Sequence, residues 1–445
     1  MNSSEHTNPD KDRGSLLSRI FAGDKVLWVV IVLLLIFSVF MVYSTMSYTS
    51  GVRAGQELTK QFIMIAVGTI ALFVTMMIPI ERCRRLIKYL YLIALGLTLL
   101  MVVTHRGPNV SRSINLLGFD FQPFELLKIT VVLMLADALA TRQHSIDTTD
   151  LIPSLRWRDW KSKELRDKQF ETLKKHTVPI FLPVVAACCV TLRTSNSTTF
   201  LILASCFIML FIGRVRKQDL RRVVVLAVVF GSAALLLLGA RKDTLKGRLG
   251  LYSPDVVSSE LRVKGNDGRD YYKRPLNKDW HEGMDEKDKY AESDQTMYAK
   301  MSIATGRLIG KGPGQSTNRL LQEADKDMVY AFLIEEYGFL FGGLLILLAF
   351  LILFYRTMEI FKKCGTAYPG LTVLGLGMMI VLQAMIHMLV SVSLLPVTGQ
   401  QLPIISRGGS SLVFMMISLG IILGISARTE RNTLEKPKGE TILER

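Results

Sequence analysis

The chain has 445 residues, 49% of them hydrophobic, and a formal net charge of +16. The apolar residues come in long uncharged runs, not amphipathic stripes, which excludes an ordinary soluble protein of two or three domains. The short alternating segments of a β-barrel are absent, and the positive charge gathers at the ends of the apolar runs, which argues against nucleic acid as a partner.

Residues 1–25 are polar and mixed in charge, and read as a cytoplasmic N-terminal tail, not a cleavable signal. Val26–Tyr43 (VLWVVIVLLLIFSVFMVY) then runs without a charge, and uncharged stretches of roughly 18 residues or more read as transmembrane helices. By that rule about ten spans follow: 26–46, 62–80, 86–104, 122–141, 177–193, 198–213, 222–240, 328–355, 370–395 and 410–427. Glu125, Lys128 and Asp137 interrupt the fourth, and Pro179 and Pro183 the fifth. Helices are expected because lipid offers no partner for backbone N–H and C=O groups, so the fold class is an all-α polytopic membrane protein.

The basic residues fix a direction. Arg82, Arg84, Arg85 and Lys88 follow the second span. Arg214, Arg216, Lys217, Arg221 and Arg222 follow the sixth, Arg356, Lys362 and Lys363 the eighth, and Arg428 and Arg431 the tenth. With both termini cytoplasmic, all of these lie inside, as does the basic 142–175 loop. The division expected is therefore helices one to seven over 26–240, a large periplasmic loop over 241–326, helices eight to ten over 327–427, and a cytoplasmic C-terminal tail over 428–445. Cys83, Cys188, Cys189, Cys206 and Cys364 fall in spans or at cytoplasmic positions and lack zinc-ligand spacing, so neither a disulfide framework nor a metal site is expected.

In the 241–326 loop the first part is polar and reads as a mobile surface loop. Gln295–Leu308 (QTMYAKMSIATGRL) has the pattern of a short amphipathic helix lying on the membrane. Gly310-Lys311-Gly312-Pro313-Gly314 ends it.

Four constellations carry possible chemistry. Asp327 stands where the loop becomes the eighth span. By position it suits a helix N-cap first; the functional alternative is a general base whose partial desolvation raises its pKa toward a useful range. Glu335 and Glu336 lie about two turns further on. Charges inside a span are costly, so they are either a structural ion pair with a neighbouring helix or functional groups. Glu125 and Lys128 share one helix face by their i, i+3 spacing and read as a local salt bridge, while Arg112 in the preceding loop is an interfacial cation. Finally, Pro396-Val-Thr-Gly399-Gln-Gln-Leu402-Pro403-Ile-Ile-Ser406-Arg407-Gly408-Gly409-Ser410-Ser411 forms a broken, re-entrant segment before the last span. Its Gly408-Gly409-Ser410-Ser411 end offers free amides and hydroxyls suited to a phosphate, with Arg407 adding positive charge. His387 in the ninth span reads as a satisfied helix–helix contact.

These segments resemble the SEDS family (shape, elongation, division and sporulation). Pro396–Ser411 looks like its P-x-x-G-x-x-L-P-x-x-S-x-G-G-S-S motif, Glu323–Gly338 (EADKDMVYAFLIEEYG) like E-A-H-T-D-F-I-F-A-x-x-x-E-E-x-G, Gln122–Lys128 like Q-P-[SA]-E-x-x-K, and Gly306–Ser316 (GRLIGKGPGQS) like G-x-x-x-G-x-G-x-G-x-S. Asp325-Lys326 stand in place of the usual His-Thr, Ser113 in place of Trp, and His387 in place of Asn.

The resemblance, closer to the division branch than to the elongation branch, implies a ten-helix peptidoglycan glycosyltransferase of the inner membrane at the division septum. Such an enzyme polymerises lipid II into glycan strands beside a class B penicillin-binding protein and other divisome proteins. It implies that Asp327 is the essential aspartate and base. Substrate binding falls to Arg112, Glu125, Lys128, Lys311, Glu335, Glu336, Ser406, Arg407, Gly408, Gly409, Ser410 and Ser411. No cofactor is firmly implied; a divalent cation (Mg or Mn) is compatible, without a dedicated ligand cluster. A lipid II transporter and a non-catalytic divisome scaffold are the competing expectations.

Overall fold

The computed structural model describes residues 22–46, 52–104, 114–116, 119–143, 152, 163–226, 262–264, 270–272, 299–316, 328–407 and 409–435. In chain order these form α1 (Lys25–Met46), α2 (Val52–Met77), α3 (Ile80–Thr104), a hairpin of β1 (Ile114–Leu116) and β2 (Phe119–Phe121), and α4 (Pro123–Thr141). Next come α5 (Lys163–Thr172), a π-helical turn over Leu173–Thr177, α6 (Val178–Thr194), α7 (Asn196–Ile212) and α8 (217–226). A second hairpin, β3 (Arg262–Lys264) with β4 (Asp270–Tyr272), precedes α9 (299–306) and α10 (Val329–Gly338). A π-helical turn over Phe339–Leu344 leads into α11 (Leu345–Lys363), followed by α12 (Ala367–Ser391) and α13 (Gly409–Glu435). Among the described residues the only strands are these two antiparallel hairpins of three-residue strands.

Seven helical stretches among the described residues are long and apolar enough to cross a membrane: 25–44, 58–77, 80–104, 169–193, 329–363, 367–391 and 409–432. The fourth expected span is the 19-residue α4, which carries Glu125, Lys128 and Asp137, and the sixth is the 17-residue apolar α7. The seventh, 222–240, lies outside the described residues beyond 226, as do the 1–21 tail, most of the 142–175 loop and, apart from β3 and β4, the polar part of the 241–326 loop. The chain is a polytopic helical membrane protein. Among the described residues the most enclosed long spans are α12 and α13, and α2 is the most peripheral. Close packing of α13 on α2 needs small residues: a Cβ at Gly420 would overlap Thr75 and the Leu72 carbonyl, and one at Gly424 would crowd the Met76 carbonyl.

Charged groups tie one end of the bundle. Asp24 caps α1 by accepting from the Val26 and Leu27 amides at 2.9 and 3.1 Å, and its other oxygen takes the Arg356 guanidinium of α11. Arg84 at the start of α3 holds Asp137 at 2.5 Å and Thr141 at 2.9 Å at the end of α4, and lies 5.0 Å from the Tyr368 ring centroid at the start of α12. Arg428 of α13 donates to the Ile78 carbonyl beyond α2 at 2.6 Å. The end of α4 and the start of α12 thus meet the same arginine, so these two helices run antiparallel.

The eighth span departs from the expected continuous helix. Gly338 has φ 78°, a left-handed conformation that ends α10 after ten residues. Every residue of α10 is buried except the half-buried Tyr337, whereas Phe339, Leu340 and Phe341 beyond the break are exposed. α10 is therefore an inner half-helix and α11 the outward-facing length.

Candidate functional site

Two polar clusters lie at the end opposite the arginine ties. The first is built on α4. Pro123 occupies the first turn, where its missing N–H costs nothing. Two residues later Glu125 begins the charged face: its Oε1 takes the Lys128 ammonium at 2.8 Å, and both side chains are buried. Lys128 also donates to Gln383 Oε1 of α12 at 2.7 Å, and Gln383 Nε2 donates to the Gln401 carbonyl at 3.0 Å. One turn on, His387 Nδ1 lies 2.7 Å from the Gln400 carbonyl, so in a neutral ring that nitrogen carries the proton. Gln400 Nε2 reaches Ser197 and Thr198 at the start of α7 at 3.1 and 3.0 Å, and Ser197 donates to the Thr398 carbonyl at 2.8 Å. Glu125 Oε2, His387 Nε2 and Gln401 Oε1 are buried acceptors without a hydrogen-bond partner among the described residues.

The re-entrant segment is held in a compact turn. Ser406 Oγ accepts from the Leu402 amide at 2.8 Å, and the Ser406 amide returns to the Leu402 carbonyl at 3.0 Å. Between them Ile404, buried, has φ 70°. A β-branched residue in that region is strained, and such strain gathers at functional sites. Ser410 at the start of α13 accepts from the Gln122 amide at 2.8 Å, which joins this segment to the start of α4.

The second cluster surrounds the break at Gly338. Residues 306–312 run across it as a strap. The Phe339 and Leu340 amides donate to the Arg307 and Leu308 carbonyls at 2.9 and 3.2 Å, and the Lys311 and Gly312 amides donate to the Glu335 and Glu336 carbonyls at 3.0 and 2.9 Å. Groups that a broken helix would leave unpaired are thereby satisfied. The approach is so close that a Cβ at Gly306 would overlap the Ile334 carbonyl. Glu335 accepts from Lys311 Nζ and Ser316 Oγ, each at 2.6 Å, and Glu336 accepts from the Gly314 amide at 3.2 Å and from the Ser44 hydroxyl of α1.

Several sequence-derived candidates are thus brought together, in two groups: Glu125 and Lys128 with the 396–411 segment, and Glu335 and Glu336 with Lys311. Of the two readings of Glu335 and Glu336, the structure shows an ion pair for Glu335, with a partner from the strap and not from a neighbouring span. The hydrogen bond of His387 goes to the re-entrant segment, at the Gln400 carbonyl. Arg407 and Gly409 are partly exposed at the start of α13, where Ser411 is buried. Asp327, Arg112 and Gly408 lie outside the described residues. Gln383 and Ser44 were not foreseen, each a lone polar residue of an apolar span; Ser197 and Thr198 were given no role, and Gln400 and Ser316 stand inside the family motifs without a role of their own. Among the described residues no three His, Cys, Asp or Glu side chains converge, so no metal-holding set is assigned.

The fold and site define a class: a polytopic membrane protein with a buried polar site where its spans meet a re-entrant segment and a strap. A family model described as "Cell cycle protein", the FtsW/RodA/SpoVE family, matches residues 24–255 and 268–431, and the chain belongs to that family. The chain is 28% identical to stage V sporulation protein E of Bacillus subtilis over 412 residues, 91% of this chain and 96% of the relative. It is 27% identical to the probable peptidoglycan glycosyltransferase FtsW of Trichlorobacter lovleyi, covering 92% and 94% of the two chains. Among solved structures, a chain described under "Structural coordination of polymerization and crosslinking by a peptidoglycan synthase complex" superimposes with a TM-score of 0.57 at 21% identity, covering 92% and 98% of the two chains. The rod shape determining protein RodA of Thermus thermophilus does so at 0.55 and 19%, over 92% and 98%. These likenesses share this fold.

Proposed function

We propose that this chain is a peptidoglycan glycosyltransferase that polymerises lipid II into glycan strands during septal wall synthesis. The observation that carries the reading is the joining of the Gln122–Lys128 motif to the 396–411 motif through Lys128, Gln383 and Gln401. Family membership and the relatives named as probable peptidoglycan glycosyltransferases support it.

Lipid II carries a diphosphate leaving group on an α-linked sugar, so one in-line displacement inverts the carbon and gives a β-1,4 bond. A base takes the proton of the acceptor 4-hydroxyl as the new C–O bond forms and the bond to the diphosphate breaks. Asp327, two residues before α10, is assigned that role. Arg112, Arg407 and the 408–411 amides stabilise the departing charge. Glu125 and Lys128 shape the cavity wall. A magnesium or manganese ion carried by the diphosphate is compatible with the reading. The basic ends of the spans support cytoplasmic termini, and the peptidoglycan synthase neighbour supports a class B penicillin-binding protein as partner.

Purified chain with its cognate penicillin-binding protein tests this. Asp327→Ala and Asp327→Asn should abolish polymer while lipid II still binds; near-normal polymer from both rejects the assignment. One observation favours lipid II transport instead: a helix broken at Gly338, a device used around substrate paths in transporters. The buried carboxylates are held locally, however, Glu125 by Lys128, Glu335 by Lys311, and Glu336 by the Gly314 amide and the Ser44 hydroxyl, which suits a fixed site better than a relay. Assays that separate transbilayer movement of fluorescent lipid II from polymer length decide between them.

A further inference from the structure

We infer that Lys311, Glu335, Glu336 and Ser44 are positioning residues that fix the height of α10, the helix that begins two residues after Asp327 in the chain, with the Lys311 ammonium committed to Glu335 and not to substrate. The inference rests on the glycosyltransferase reading above.

The argument begins with what α10 lacks. A ten-residue helix is marginal by itself, and the left-handed Gly338 breaks its continuity with α11. Its position must come from contacts. The strap supplies two backbone bonds to its last carbonyls, and the adjacent carboxylates brace it toward two different elements. Glu335 reaches into the strap, holding Lys311 and Ser316 and lying 3.4 Å from Thr305 Oγ1. Glu336 reaches α1 through Ser44, whose hydroxyl also accepts from the Gly314 amide at 3.1 Å. All four oxygens of the two carboxylates therefore carry a hydrogen bond, and α1, the strap and α10 form one braced unit. Glu335 is fully buried and Lys311 about three-quarters buried, so the pair is interior structure. A misplacement of about 1 Å at a reacting group costs on the order of 10²-fold in rate.

A charge-removal series separates positioning from direct contact with the diphosphate. Lys311→Met removes the ammonium beside the buried Glu335 carboxylate, whereas Lys311→Met with Glu335→Gln removes both charges. Positioning predicts that Lys311→Met lowers kcat on the order of 10–100-fold with KM for lipid II little changed, and that the double variant recovers most of the loss. Lys311→Arg should stay near the parent, and Ser44→Ala should show a milder kcat loss. A double variant as inactive as Lys311→Met, with parent-like thermal unfolding, would overturn the inference, as would a fully active Lys311→Met. The placement of residue 327 is read independently of activity from the labelling rate of Asp327→Cys by a membrane-impermeant maleimide. That rate should change in Lys311→Met and return in the double variant; an unchanged rate overturns the inference. Absence of polymer from the parent complex rejects the glycosyltransferase reading instead, and leaves the labelling result to decide the positioning.

Discussion

The Lys128 ammonium lies 2.7 Å from the side-chain oxygen of Gln383, so a cation on the fourth span is held by a neutral amide on the ninth. The same ammonium takes Glu125 at 2.8 Å, and the same amide reaches the Gln401 carbonyl. A charge on one helix is thereby connected to the backbone of the re-entrant segment.

Removing one member of the Glu125–Lys128 pair leaves a buried charge uncompensated, at a cost of about 3–5 kcal/mol. Lys128→Met should destabilise the protein by that order, and Glu125→Gln with Lys128→Met should recover much of it. Thermal unfolding in detergent measures this. Equal losses in the single and double variants would show that the pair is not coupled.

Gly338→Ala should cost about 1–3 kcal/mol from the left-handed backbone alone, and its Cβ would also overlap the Leu308 carbonyl of the strap. Gly365→Ala, where an added Cβ meets nothing within 4 Å, is the matched control and should stay within about 0.5 kcal/mol. Comparable unfolding midpoints for the two variants would contradict the break described here.

Two ionic ties at the arginine end should differ in weight. Arg84 is 42% exposed in its pair with Asp137, so Arg84→Ala should cost only about 0–1 kcal/mol. Asp24 is buried, caps two amides and holds Arg356, so Asp24→Ala should cost about 1–3 kcal/mol. The reverse order in a melting comparison would refute the burial argument.

His387→Leu removes the donor from the Gln400 carbonyl, and a buried acceptor left unpaired costs about 1–3 kcal/mol. His387→Asn, which can still donate, should lose less. Protease sensitivity of the 396–406 segment should rise in the first variant; no change would detach His387 from the support of that segment.

Most of the spans that fall among the described residues were legible because run length sets them. Val26–Tyr43 has no charge, and α1 covers Lys25–Met46. The break inside the eighth span was not foreseen, because hydropathy carries no information about φ and a glycine does not by itself show a left-handed conformation. At the site, Glu125 with Lys128 was readable from i, i+3 spacing. The partner of Glu335 was not, because Lys311 lies 24 residues away and meets it only after the strap folds back. Gln383 and Ser44 were passed over for the same reason: each is a single polar residue whose partner is distant in the chain.

The turn over Phe339–Leu344 and α11 together are 25 residues long. The uncharged part of this stretch ends at Tyr355, before Arg356; at about 1.5 Å per residue it reaches roughly 25 Å, against a hydrocarbon thickness of about 30 Å. Most of the lipid crossing is therefore made without Val329–Gly338. That segment is buried among protein elements instead of facing lipid, which lowers the cost of placing two adjacent glutamates in it.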